Sequence, residues 1–183
     1  MKTRSIVICL SLLFIALVYT SCNKTSQKDT TPVESNVVKN EKPEVVVSLK
    51  DYGAEPTILD IEEYTSANTN FRTALWTGKN LQVTLMAIPV GGEIGLELHP
   101  DIDQFLRIEE GNGKVMMGNS KDSLNIVETA YEDYAVFVPA GKWHNIVNTG
   151  DKPLKLYSIY SPVEHPHGTV HKTAQEAMEA DHH

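Results

Sequence analysis

The chain has 183 residues, 22% of them charged, with a formal net charge of -8. An acidic chain without a basic stripe offers no electrostatic footprint for nucleic acid, and this length holds one domain with a real core once a leader is set aside. Its two cysteines, Cys9 and Cys22, both lie in the leader region, which excludes a disulfide framework, a cysteine nucleophile and a thiolate zinc site.

Met1-Lys2-Thr3-Arg4 is a basic start, and an apolar run over 6–18 follows it. The run is too short for a comfortable transmembrane helix and fits a signal peptide over 1–21. Thr20 and Ser21 just before Cys22 resemble the bacterial lipoprotein signal, in which the cysteine becomes the acylated first residue. Cys22 is therefore the expected lipidation site, although Tyr19 stands where an aliphatic residue is usual. An ordinary cleaved signal and an uncleaved anchor are the alternatives. Lipid chains on Cys22 imply a place in the bacterial cell envelope, outside the cytoplasm, attached to a membrane without a protein span. Residues 22–43, rich in Thr, Ser, Lys, Asn and Gln, read as a flexible tether. Residues 44–183 remain for the folded domain.

Within it, 44–49 reads as a strand, 52–56 as a turn, and 59–64 as one helical turn capped by Asp60. From Phe71 onward the pattern is short strands separated by Gly, Asn or Pro: 72–76, 82–89, 92–99, 104–109, 113–117, 123–127, 135–138, 144–148 and 154–160. Regular spacing of this kind predicts an all-β sandwich or barrel. After Pro162 comes a loop carrying His165, His167 and His171. Thr173 with Glu176 then forms a capping box for a short C-terminal helix over 174–180.

Two stretches carry the chemistry. In 92–99, period-two alternation puts Glu93, Gly95, Glu97 and His99 on one strand face, with Ile94, Leu96 and Leu98 on the other. In 136–148, a Pro139/Gly141 turn leads into a strand that bears His144. The first stretch reads Gly91-x5-Glu97-x-His99-x4-Gln104-x6-Gly111, and the second Asp133-x5-Pro139-x-Gly141-x2-His144-x3-Asn148. These resemble the two motifs of the cupin superfamily, Gly-x5-His-x-His-x(3,4)-Glu-x6-Gly and Gly-x5-Pro-x-Gly-x2-His-x3-Asn. Glu97, Gln104 and Asp133 depart from the usual His, Glu and Gly. The run from Glu97 to Pro100 with Asp103-Gln104-Phe105 also looks like a subgroup of small single-domain bacterial cupins, grouped by similarity with mannose-6-phosphate isomerase.

The resemblance implies a jelly roll, the double-stranded β-helix, whose motif core spans 91–148. It also implies that Glu97, His99, Gln104 and His144 meet at one end of the barrel. That set offers two imidazoles, a carboxylate and an amide oxygen to one divalent metal ion. A nitrogen and oxygen set without thiolate suits Mn, Fe, Co, Ni or Zn. Gln104 is either a fourth ligand or a hydrogen-bonding neighbour of a ligand or bound water. Glu93 shares the face of Glu97, so it is a candidate to line the cavity. His171 is the loop histidine selected to face a substrate, and Tyr131 is a candidate acid, base or donor.

The expected function is a metal-dependent enzyme acting on a small oxygen-rich molecule, such as a sugar derivative or a hydroxy or keto acid, by isomerase or epimerase chemistry. An iron or nickel dioxygenase is the second reading, and a non-catalytic carbohydrate or small-ligand module the third. The family also implies a homodimer. Among nucleotide and hydrolase signatures the chain carries no phosphate-cradling loop, no dinucleotide fingerprint and no Gly-x-Ser-x-Gly.

Overall fold

A computed structural model of the chain describes residues 46–180. The expected signal peptide, Cys22 and the expected tether lie outside the described residues. Among the described residues, ten strands and two helices occur in chain order: α1 (Ile61–Ala67), β1 (Arg72–Thr77), β2 (Gln82–Ile88), β3 (Glu97–Leu98), β4 (Asp103–Glu110), β5 (Asn112–Gly118), β6 (Ile126–Tyr131), β7 (Ala135–Val138), β8 (Trp143–Asn148), β9 (Leu154–Ser161), β10 (Val170–His171) and α2 (Ala174–Ala180). Among the described residues no helix is long and apolar enough to cross a membrane.

The strands form two antiparallel sheets. One has the order β10-β1-β2-β9-β4-β7 and the other β3-β8-β5-β6. Alternation along each strand decides which side chains enter the space between the sheets. Met86 belongs to the core there, whereas its neighbour Leu85 packs outward with Tyr64 of α1 and Leu75. Residues paired directly across β2 and β9 share a face, so Leu156, opposite Met86, also points inward. Inward residues of β9 change character along the strand, from Leu154 and Leu156 to Ser158 and Tyr160. Those of β4 run from Ile108 and Leu106 to Gln104, which pairs with Tyr160. The barrel interior is therefore apolar at one end and polar at the other.

The helices follow their caps. Asp60 accepts the Glu63 N–H at 3.3 Å, and Lys155 closes the other end of α1 through the carbonyls of Ser66 and Asn68. The helix runs for seven residues where a single turn was expected. At α2, Thr173 accepts the Glu176 N–H at 3.2 Å, while the Glu176 carboxylate takes the Lys172 N–H at 2.6 Å. The expected capping box is present with its acidic partner reaching one residue further back.

Three expected strands are corrected. Residues 46–49 are not a strand but pack as a coil beneath α1. The expected 123–127 strand lies later, as β6. The expected 92–99 strand shrinks to Glu97–Leu98 plus one bridge between Glu93 and Val147. Its alternation breaks at Gly95, whose φ of +98° lies in the left-handed region that glycine enters without penalty. Ile94 is consequently buried although it stands three residues before Glu97, and Leu96 is turned outward.

Candidate metal centre

Sheet register brings the centre together. Glu97 of β3 pairs directly with His144 of β8. His99 lies just beyond β3, and its carbonyl accepts the Gly141 N–H at 2.8 Å, which ties the two motif loops to each other. Each motif position reserved for glycine, namely Gly91, Gly111, Gly141 and Asp133, has a positive φ. Asp133 tolerates that conformation and its carboxylate meets Arg107.

Glu97 Oε1 lies 3.2 Å from His144 Nε2 and 3.6 Å from His99 Nε2. Ligating atoms of the three residues all lie within 4.8 Å of one another. His144 Nδ1 is 3.0 Å from the Lys142 carbonyl, and His99 Nδ1 is 3.3 Å from Glu164 Oε1. A carbonyl and a carboxylate only accept, so each Nδ1 carries a hydrogen, and Nε2 is the nitrogen aimed at Glu97. Both Nε2 atoms are buried without a hydrogen-bond partner.

Burial works to raise the Glu97 carboxyl, but His144 and His99 outweigh it and hold the group at about 2. Burial likewise opposes a charge on His99, yet Glu164 and Glu97 lift the imidazole to about 9. The cluster thus draws a proton to the gap between Glu97 and the two rings, the place where a cation with three donors would sit. Two imidazole nitrogens facing one ionised carboxylate fit a divalent metal ion, which would take the place of that proton.

Gln104 faces the same polar interior from β4. It donates to Ser158 at 3.0 Å, and its Oε1 is buried without a partner. Tyr160 stands edge-on to His99 with ring centroids 5.7 Å apart, and burial pushes its hydroxyl up to about 12. His165 packs edge-on against the other part of Tyr160, at 5.3 Å. Its backbone is gripped by the Gln82 amide, which donates to the carbonyl at 2.8 Å and accepts the N–H at 2.9 Å.

The three further candidates separate. His171 lies in β10 opposite Arg72, on the interior side of β1, and its charge is felt by His165. Glu93 is exposed and accepts from Asn145 at 2.7 Å; it shares a cavity lining with Glu97. Tyr131 is a correction. It ends the edge strand β6 opposite Asn112, whereas the β5 residue opposite His144 is Met117, at the other end of that strand. At roughly 3.3 Å per residue, that separates it from the centre by more than about 15 Å, and it is half exposed against Tyr134.

Glu164 and Arg72 are not singled out by the sequence, and His165 is read there as one of three loop histidines. Arg72 has a signal there, since it is a charged residue opening a strand that carries Ala74, Leu75 and Trp76. For Glu164 the only signal is a carboxylate beside the loop histidines.

Residues 84–160 match the family model described as Cupin domain. The Bacillus subtilis (strain 168) protein YrkC is 59% identical over 133 residues, which is 73% of this chain and 72% of that one. The chain belongs to the cupin superfamily. The crystal structure of BH2720 from Bacillus halodurans superimposes on this cupin with a TM-score of 0.71 and 58% identity, covering 71% of this chain and 98% of that one. Protein L612 of Acanthamoeba polyphaga mimivirus is 36% identical over 114 residues, 62% of this cupin and 69% of L612.

Proposed function

We propose that this cupin is a metal-dependent enzyme in which Glu97, His99 and His144 hold one divalent cation that acts on a small oxygenated molecule, a sugar derivative or a hydroxy or keto acid. The observation that carries the reading is the convergence of two unpartnered buried imidazole nitrogens on one carboxylate. A cation in that position would supply Lewis-acid pull on two substrate oxygens, the chemistry that isomerisation and epimerisation beside a carbonyl require.

The chain's own residues supply the rest. Lys142 and Glu164 hold the rings with Nε2 inward. Glu97 stays ionised, because the two histidines overcome the cost of its burial. Tyr160 keeps its proton at neutral pH because burial disfavours the phenolate, so its hydroxyl serves as a donor. Gln104 Oε1 stands as a fourth donor or as a hydrogen-bond acceptor for substrate or water. The likeness of the first motif to the mannose-6-phosphate-isomerase-like subgroup points to the same reaction class.

Two histidines and one carboxylate on a single face also favour a second reading, an iron or nickel dioxygenase. Oxygen uptake with phenols or diketones supports that reading, and turnover unaffected by anaerobiosis removes it. Elemental analysis of the full chain tests the common ground. About one equivalent of a first-row metal is expected in the native protein, and less than about a tenth of that in Glu97→Ala and His144→Ala, each checked for a folded barrel by circular dichroism. A native protein with no metal, able to take up none on dialysis, would leave a ligand-binding module.

The envelope location belongs to the same proposal, supported by the sequence before Cys22. Incorporation of labelled palmitate that Cys22→Ser abolishes is the expected result.

A further inference from the structure

We infer that the substrate is a carboxylate, and that Arg72 is the residue that receives it. The inference rests on the metal reading above and narrows its substrate class to the hydroxy and keto acids. Arg72 opens β1 and lies opposite Met86, a residue of the barrel core, and opposite His171. Its side chain therefore enters the barrel, where it is 2% exposed. Nε and Nη1 are both buried without a hydrogen-bond partner. The guanidinium carbon lies 5.7 Å from the centroid of the Phe71 ring, a contact that supplies no acceptor.

An always-charged group buried in this way costs several kcal/mol, roughly, unless an anion meets it. The missing anion is located by the surroundings. Arg72 and Glu97 line one cavity of about 260 Å³, roofed by Ala174, Ala177 and Met178 of α2. Arg72 also acts electrostatically on Tyr160 and His165, which stand in the polar end of the barrel. Arg72 and the carboxylate member of the metal centre, Glu97, thus border the same space.

Arg72 is a single buried cation whose Nε and Nη1 meet no acceptor, which suits a monoanion. Nε and a terminal nitrogen of a guanidinium present the fork that matches a carboxylate in two parallel hydrogen bonds. A hydroxyl or keto oxygen next to that carboxylate would face the metal side of the cavity. A neutral sugar would leave the guanidinium unmet.

Calorimetric titration of glycolate and of ethylene glycol into the full chain, with and without one equivalent of zinc, tests this. Glycolate is expected to bind the zinc form and ethylene glycol to give no measurable heat. Arg72→Met, which keeps the volume of the side chain, is expected to take up zinc as the native chain does and to bind glycolate roughly thirty-fold more weakly or worse. Arg72→Lys should fall between. In the native protein the Arg72 Nε–H signal should shift when glycolate is added, a readout that does not depend on any variant folding. Equal binding of the two probes, an unshifted Nε–H, or a folded Arg72→Met with native glycolate affinity would overturn the assignment while leaving the metal centre intact. Failure of the native chain to bind zinc, manganese, iron, cobalt or nickel overturns the metal reading, and the Nε–H response in the metal-free protein then decides Arg72 separately.

Discussion

His99 has a carboxylate at each nitrogen, and only one of the two, Glu97, also faces His144. Glu164 is a positioning residue that acts through the ring it orients. Glu164→Ala should lower zinc affinity about ten- to a hundred-fold, read by competition with a chelator, while thermal stability of the metal-free barrel changes little. His165 gives a prediction of opposite kind. Its folded value of about 4 lies below the ordinary 6.5, so the unfolded chain binds more protons between those values. Stability from this group is complete above about pH 6.5 and is lost as pH falls toward 4, by an amount on the order of 3 kcal/mol. Urea melts from pH 7 to pH 4 should show a steeper acid decline in the native chain than in His165→Phe.

Among elements, the short β3 depends on one backbone position. Gly95, with φ of +98°, lets the chain bury Ile94 and still aim Glu97 at His144. A Cβ there meets nothing within 4 Å, so Gly95→Ala costs conformational energy alone, about 1–2 kcal/mol. The expected outcome is that loss in a urea melt, together with weaker zinc binding because Glu97 moves with the altered turn. The same position shows what the sequence could and could not convey. Short strands and both motifs were legible because spacing and turn residues carry them directly, and the meeting of Glu97 with His144 followed from the resemblance that those motifs carry. The alternation read through 92–99 failed, since a single left-handed residue reverses the parity of the side chains beyond it and leaves no mark on hydropathy. Tyr131 was misplaced for a related reason. Its strand begins later than the apolar pattern suggests, and nothing local tells which end of an edge strand lies near a distant histidine. Arg72, Glu164 and His165 depend on chain-distant neighbours, so only the folded arrangement gives them roles.

At the scale of the whole molecule, the interior is divided. Leu154, Leu156, Ile108 and Ile146 fill one end, and Gln104, Ser158, Tyr160 and the metal-centre residues fill the other. The outside carries a feature of its own. β7 closes one sheet, and its Phe137 is 69% exposed beside Phe105. An edge strand bearing an exposed aromatic side chain is a ready surface for a second copy. Light scattering should give a dimer mass that Phe137→Lys reduces to that of a monomer.

The grip of Gln82 on the His165 backbone has a temporal side. Strands β1 to β9 precede that loop and β10, at the edge beside β1, follows it, so a nascent chain can pair β1 to β9 before Glu164 arrives. Until residues 162–183 leave the ribosome, His99 lacks the carboxylate that steers it. A chain stopped after Ser161 should therefore pair those strands yet load metal poorly, which makes readiness for a cation a late event of its synthesis.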